Sequence, residues 1–436
     1  MRAMAGLSMR VLLAWVCLVC AVSTQAAPLG LQSVQNLVAE HGIASVDELL
    51  PLLPSYFRSR YALMFASRSL QGASYRQPRV ILYGSDAKFI IAFNGNPEDR
   101  GFNAIEMMEF DEAGRQFMLQ ELTFDIAADG SRKARFSDLN PAKCMACHGE
   151  PGRPIWDTHP SWPGAYGEVY QAHPSKPEEE GFKGFVQIQP LHPRYQHLVG
   201  VDNFAYRYRY RPSAKDKYDG VEVESPNAEL GALLTALNFE SIVAAVTSRP
   251  DFTPFEFALL ASVSRSCNDI SEWFPVDLKS AVAQSYQHFS ERADAIGERH
   301  IRFKNERLAR HGSIDPPASR TPPDEYDFLR RFRFVAEVGL QLNTSQWALT
   351  FEKSSQDFTT SRLSIDKMEQ SFLSEVARND PKAEQLHLYD LQMNNDKYCS
   401  YLAKQSRAAL ARSEAAQSQL AQRLREYLSA GSRGSR

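Results

Sequence analysis

Two cysteines and a histidine stand close together in the stretch NPAKCMACHGEPGRPIW. Cys144, Cys147 and His148 have the C-x-x-C-H spacing that is found at sites of covalent haem attachment. This chemistry needs two thiols that form thioethers with the vinyl groups of a porphyrin, and an imidazole that binds the iron. A shuffled chain of the same composition would contain roughly 0.002 copies of the pattern. The motif therefore predicts one haem c, with Cys144 and Cys147 as its thioether residues and His148 as an axial iron ligand.

Three other interpretations of the two cysteines remain open from the residues alone. A structural zinc site normally has four ligands in two pairs, and a second pair is missing from the sequence. A thioredoxin-like redox pair is expected to open a helix in a βαβ unit, whereas this one follows two predicted hairpins. A plain Cys144–Cys147 disulfide would leave the adjacent histidine unexplained.

The segment after the motif supplies candidates for the haem pocket. Arg153 could pair with a haem propionate, because a guanidinium group matches a carboxylate bidentately, or it could be a surface arginine. Trp156, Trp162 and Tyr166 could form a wall that excludes water from the haem. They could equally form the core of a loop-rich segment.

The residues CMACHG resemble the haem-binding segment of bacterial c-type cytochromes. The longer pattern NPAKCMACHG, RPIWD and WPGAYG also resembles a group of exported bacterial proteins with one such motif, described as cytochrome-c-domain proteins. This second resemblance extends loosely over most of the mature chain. It implies haem binding and indicates no substrate, because that group has no assigned reaction.

The chain departs from the small cytochrome c pattern in two respects. In that fold a helix closely precedes the motif, whereas strands and a loop are predicted here. That fold also supplies a methionine as sixth iron ligand downstream of the motif, but after Met145 the next methionine is Met368. The sixth position stays open between methionine, histidine and no protein ligand. The candidate side chains are Met107, Met108, Met118, His159, His173, His192 and His197.

The segments before the motif predict a short helix and then a small antiparallel sheet. In SVDELLPLL, Ser45 and Glu48 have the spacing of a capping box. RVILYGSDAKFIIAFNG and NAIEMMEFDEAGRQFMLQELTF each have the pattern of two strands around a turn. The sheet is thus expected immediately before the motif.

The second half of the chain is predicted to be mainly helical, which makes the fold class α+β. Thr253-Pro254-Phe255-Glu256 predicts a helix start, and residues 280–309 and 395–428 also have helical patterns. Residues 205–211, AYRYRYR, alternate with period two and predict a strand. Its arginines could bind an acidic redox partner or simply lie in water.

Six segments are predicted along the chain. They are a signal peptide (1–26), an N-terminal α+β domain (27–225) with the haem-binding segment 140–167, a helical region (226–312), a proline-rich connector (313–326), a C-terminal helical region (327–430) and a disordered tail (431–436).

The N-terminus predicts export to the periplasm or secretion. Arg2 and Arg10 flank a positively charged region, residues 11–22 form a short apolar run, and the small residues of STQAA follow, with Ala26 as the last residue removed. The alternative is an N-terminal anchor that is not cleaved. No later segment approaches 18 uninterrupted apolar residues, so no integral membrane span is predicted. Cleavage leaves four of the six cysteines. Because an oxidising compartment favours disulfides, Cys267 and Cys399 are predicted to form one, with two separate buried thiols as the alternative.

Composition limits the remaining function classes. A formal charge of -3 over 436 residues gives no reason to expect nucleic acid as a partner. The leading hypothesis is a periplasmic monohaem protein that transfers one electron at a time to a redox partner, after loading by haem-attachment machinery. The alternatives are a haem enzyme or ligand sensor with an open distal site, and an exported binding protein without haem.

Overall fold

The computed structural model describes residues 29–67, 69–126, 130, 132–154, 164–166, 176–201, 226–264, 267–292, 328–344, 358–393 and 397–431. Within these ranges the chain is α+β, as predicted, with an antiparallel sheet in the N-terminal half and a mainly helical C-terminal half. The predicted signal peptide, the strand at 205–211, the connector at 313–326 and the tail beyond Gly431 lie outside the described residues.

The sheet is a meander in which each strand pairs antiparallel with the next strand in the chain. Its strands are β1 (Tyr61–Met64), β2 (Arg79–Tyr83), β3 (Phe89–Phe93), β4 (Ala104–Asp111), β5 (Gln116–Ile126) and β6 (Arg132–Phe136). The two predicted hairpins are β2–β3 and β4–β5, and both are confirmed. Strands β1 and β6 were not predicted and extend the sheet at its two edges.

Helices cover both faces of the sheet. The first face packs on α1 (Leu31–His41), α2 (Val46–Leu49), α3 (Ser55–Arg58) and α5 (Lys176–Ile188). The second face carries α4 (Ala142–His148), the helix of the C-x-x-C-H motif. We call this second face the motif face, and its side chains include Ile81, Ile90, Met108 and Leu119.

The capping interaction predicted at Ser45 is present. Ser45 Oγ accepts a hydrogen bond from the backbone N–H of Glu48 at 3.2 Å. The Glu48 carboxylate accepts in turn from the backbone N–H of Ala44 at 2.8 Å, one residue before the cap. These bonds satisfy donors that would otherwise be left unpaired at the start of α2.

The helical half forms one core from both of its predicted regions. Its elements are α6 (Pro226–Thr247), α7 (Glu256–Val263), the helical residues 279–292 (α8), α9 (Phe328–Leu340), α10 (Phe358–Ala377), α11 (Pro381–Met393), α12 (Lys397–Ala411) and α13 (Glu414–Gly431). A 3₁₀ turn at Thr253–Phe255 precedes α7, and Thr253 makes no side-chain cap there. The predicted helix at 395–428 is two helices.

The predicted disulfide is confirmed. Cys267 and Cys399 are bonded, with their Cα atoms 5.2 Å apart and a sequence separation of 132. The bond joins the loop after α7 to α12. It therefore links two parts of the helical core that are distant in sequence.

Helix α6 packs between the sheet and the helical core. Leu230, Leu234 and Leu237 lie in the cluster on the motif face, whereas Ile242 and Val246 lie in the helical core. Among the described helices, the stretch Glu229–Thr247 is long and apolar enough to cross a membrane, and 65% of it is buried inside the structure. A helix that packs against a core on each side is apolar all round. The position of α6 therefore accounts for its apolar composition.

Candidate functional site

The motif helix α4 is fixed to strand β5 at its start. The backbone N–H of Asn140 donates to the carbonyl of Leu119 at 2.7 Å, and Asn140 Oδ1 accepts from the backbone N–H of Leu119 at 2.8 Å. Asn140 has a φ of 53°, a left-handed conformation that asparagine adopts more readily than most residues. Pro141 is the N-cap of the helix. The chain therefore leaves the sheet and enters the motif helix at a fixed point.

Cys144 and Cys147 lie three residues apart on α4, so their side chains are neighbours on the helix surface. Both are free thiols; Cys144 is half-buried against the motif face and Cys147 is exposed. Burial, followed by the charges of Glu106 and Glu121, raises the pKa of Cys144 to about 11. A redox-active C-x-x-C pair needs a lowered thiol pKa. The environment of Cys144 thus disfavours the thioredoxin-like interpretation.

His148, the last residue of α4, has the hydrogen bond expected of a metal-binding imidazole. Its Nδ1 lies 2.7 Å from the carbonyl oxygen of Arg153. A carbonyl only accepts, so Nδ1 carries the proton and Nε2 of the neutral ring carries the lone pair. Metal-bound histidines commonly donate from their other ring nitrogen in this way. Burial is the main cause that lowers the pKa of His148, which favours the neutral, ligating form.

Arg153 is buried next to this histidine, so the interpretation as a surface arginine was wrong. The residue is 8% exposed, and burial lowers the pKa of its guanidinium group. The Nε and Nη1 atoms have no hydrogen-bond partner among the described residues. A buried guanidinium with such donors is costly without an anionic acceptor. A haem propionate is an acceptor of this kind, so Arg153 fits the predicted cofactor.

The segment between the motif and Arg153 packs closely against β5 at Gly152. A Cβ atom added at Gly152 would lie 2.7 Å from Leu119 Cδ1 and 3.0 Å from the carbonyl oxygen of Phe117. Any other residue would require the Leu119 side chain to move and the strand or the segment to shift by a few tenths of an ångström. The close contact holds the Arg153 carbonyl where His148 can donate to it.

A belt of charged side chains lies on the motif face beneath α4. Arg79 on β2 forms an ion pair with Glu106 on β4, with Nη2 and Oε2 2.5 Å apart. Lys143 on α4 forms another with Glu121 on β5. Arg79 and Glu106 are among the charges that affect the pKa of His148. Helix α4 therefore packs on a surface that contains both ion pairs and apolar side chains.

The methionine candidates for the sixth ligand divide between the two faces of the sheet. Met107 and Met118 pack on the face opposite the motif. Met108 lies on the motif face, in the same cluster as Cys144 and Met145. Met64 on β1, which was not among the predicted candidates, also lies in this cluster. The structure therefore brings Met108, of the three candidates, to the side of the motif.

The histidine candidates that the structure describes have other contacts. His192 Nε2 lies 3.1 Å from the carbonyl oxygen of Gly95, and its Nδ1 accepts from the backbone N–H of Arg194 at 3.2 Å. His197 lies near Arg58 and Asp47, on the side of the N-terminal helices. His159 and His173 lie outside the described residues.

The aromatic candidates for the pocket wall are placed only in part. Trp156 and Trp162 lie outside the described residues. Tyr166 is buried on the face opposite the motif, where its hydroxyl donates to the carbonyl of Tyr75 at 2.5 Å and its ring packs against Phe65. The alternative interpretation of Tyr166 as a core residue is therefore confirmed.

The charged residues of the site, Arg79, Glu106 and Glu121, were not predicted from the sequence. Glu106 and Met108 alternate with Ile105 and Met107 along β4, and this period-two pattern puts Glu106 on the same face as Met108. The pattern was visible in NAIEMMEF. Which face of the sheet receives α4 was not, because that depends on the path of the chain after β6.

The comparisons add no further information on the site. No family model, no curated protein and no solved structure matches the chain. Over the part of the chain that the structure describes, no group of three or more His, Cys, Asp or Glu side chains is placed to hold a bare metal ion.

Proposed function

We propose that this protein binds one haem c covalently and transfers single electrons in the periplasm. The observation that carries the proposal is the C-x-x-C-H motif together with its histidine geometry. His148 donates from Nδ1 to the Arg153 carbonyl, which leaves Nε2 as the ligating atom. A redox pair or a plain disulfide does not require a neighbouring imidazole in this orientation, and a structural zinc site lacks its second pair of ligands.

Each residue of the site has one role in the proposal. Cys144 and Cys147 hold the porphyrin through thioether bonds, and His148 binds the iron. Arg153 neutralises a propionate, because its buried Nε and Nη1 atoms lack partners among the described residues. The bound haem would supply reversible one-electron oxidation and reduction. The motif face of the sheet excludes water from one side of α4.

The proposed periplasmic localisation is based on the N-terminal sequence and is supported by the disulfide. The Cys267–Cys399 bond is of a kind that persists in oxidising compartments. Covalent haem attachment also needs dedicated machinery in such a compartment. The proposed partners are therefore the haem-attachment machinery and a periplasmic redox protein that accepts or donates the electron.

Co-expression of the full chain with a haem-attachment system tests the proposal. Mass spectrometry of the purified protein is expected to show the added mass of one porphyrin, and pyridine haemochrome analysis is expected to show a c-type spectrum. The double variant Cys144→Ser/Cys147→Ser should lose both signals. A low-spin spectrum of the wild-type protein supports electron transfer, whereas high-spin iron that binds carbon monoxide readily contradicts that part.

A matched control uses the other cysteine pair. Cys267→Ala/Cys399→Ala removes two sulfurs from the helical core and leaves the motif intact, so it should keep the porphyrin mass and the haemochrome spectrum. Wild-type protein without covalent porphyrin would overturn the proposal.

A further inference from the structure

The helical half contains a cavity of about 520 Å³ where α8, α9 and α13 meet. Pockets for small molecules in proteins span roughly 300–1,000 Å³. Apolar surface comes from Phe289, Leu342 and Tyr427, and none of the motif residues lines the cavity. It is thus separate from the proposed haem site.

Two of the arginines at the cavity are stacked on aromatic rings. The Cζ atom of Arg292 lies 4.8 Å from the centroid of the Tyr427 ring, and that of Arg333 lies 5.2 Å from the centroid of the Phe289 ring. Stacking on an aromatic face favours a fixed plane of the guanidinium group. An anion that binds there loses less free energy to ordering of these side chains.

A third arginine is fixed by the end of α9. Arg423 donates from Nη1 to the carbonyl oxygens of Val338 and Gly339, at 2.8 and 2.6 Å. Its guanidinium group therefore stays at the cavity wall and adds positive charge there.

The carboxylates at the cavity do not cancel this charge. Glu337 accepts hydrogen bonds from the hydroxyls of Thr344 and Tyr427, and Glu426 is the other acidic residue among the described residues of the lining. Neither Arg292 nor Arg423 forms an ion pair with a carboxylate of the described residues. Among the described residues that line the cavity, three arginines stand against two glutamates, and Arg333 also donates from Nε to Thr344 Oγ1 at 3.2 Å.

We infer that this cavity is a binding site for a small aromatic carboxylate. The guanidinium groups of Arg292 and Arg333 match a carboxylate group in charge and geometry. The rings of Phe289 and Tyr427 and the side chain of Leu342 provide surface for an apolar, flat body. The site is independent of haem, so it can be tested on protein with or without the cofactor.

Isothermal titration calorimetry of the full chain with benzoate tests the inference. Benzoate should bind saturably, and benzamide, which has the same shape and no charge, should bind at least about tenfold more weakly, as expected for loss of a charged hydrogen bond. No saturable binding of benzoate up to about 10 mM, or equal binding of benzamide, would overturn it.

Variants assign the binding to this cavity. Arg292→Gln removes an exposed guanidinium and should weaken benzoate binding by about tenfold. Arg425→Gln removes an exposed arginine from α13 that does not line the cavity, so benzoate binding should be unchanged. Equal affinities for the two variants would contradict the assignment. Circular dichroism spectra of both variants check that they are folded, and the comparison of benzoate with benzamide on wild-type protein does not depend on either.

Discussion

Buried ionisable side chains in this protein fall into two groups, those with an ionic partner and those without one among the described residues. Arg79 pairs with Glu106, and Arg194, which is 1% exposed, pairs with Asp47 at 3.0 Å. Arg153 lacks such a partner at two of its nitrogens. Because an unpaired buried charge costs several kcal/mol, an anionic acceptor such as the proposed haem propionate would stabilise Arg153 at this position.

Glu256 on α7 provides a test of how burial acts on a single carboxylate. Burial, followed by the charge of Asp380, raises the pKa of Glu256 above 4.5. The ionised form is thus disfavoured in the folded state, and this cost is fully present at neutral pH and vanishes below the unfolded pKa. Glu256→Gln is therefore expected to raise the melting temperature at pH 7 and to leave it unchanged near about pH 4.

The control for this prediction is an exposed glutamate on a neighbouring helix. Glu384→Gln on α11 should leave the melting temperature within about 2 °C at both pH values, as is usual for surface substitutions. A melting temperature of Glu256→Gln below that of wild type at pH 7 would show that the ionised carboxylate is stabilising instead.

At the scale of elements, the site depends on the junction between β5 and α4. Asn140→Ala removes the side-chain bond to Leu119 and places a Cβ-bearing residue without local hydrogen bonding at a φ of 53°. The expected cost is about 2 kcal/mol of the free energy of unfolding, measured by urea denaturation. Asn140→Gly keeps the conformation accessible and loses only the bond, so it should cost less.

Asn36→Ala serves as the comparison for Asn140. Asn36 is exposed on α1, and its replacement should change the free energy of unfolding by no more than about 0.5 kcal/mol. Should Asn140→Ala prove as stable as Asn36→Ala, the junction would not depend on this side chain.

The strands differ in how far the sequence predicts them, for physical reasons. Strands β2 to β5 are apolar or alternating segments, and a short turn joins the two strands within each hairpin, so both hairpins were predicted from that pattern. Strand β1 is four buried residues, YALM, a run too short to be distinguished from a helix by periodicity. Strand β6, RKARF, is an edge strand that is mostly exposed and charged. Charged residues on an edge strand disfavour pairing with another chain. The same residues lack the apolar pattern by which a strand is predicted.

At the scale of the whole molecule, α6 connects the sheet to the helical core. Glu229 near its start pairs with Arg60 and accepts from the hydroxyl of Tyr83 at 3.1 Å. The predicted boundary between residues 225 and 226 therefore coincides with the start of a helix that belongs to both cores. The boundary was predicted where helical patterns begin, but the helix at that point, α6, buries apolar side chains in both cores. A change from strand to helical pattern does not show that one helix packs against both parts.

The disulfide stabilises the helical core mainly by restricting the unfolded chain. Closure of a loop of 132 residues is expected to contribute about 2–5 kcal/mol. Cys267→Ala/Cys399→Ala should accordingly unfold at a lower urea concentration than wild type, and dithiothreitol should lower the midpoint of wild type without affecting the variant. A wild-type midpoint that is insensitive to reduction would contradict this. The same reagent separates the two cysteine pairs, because it cleaves a disulfide and leaves thioethers intact. If the proposed haem attachment is correct, the reduced and destabilised protein should therefore still carry its porphyrin.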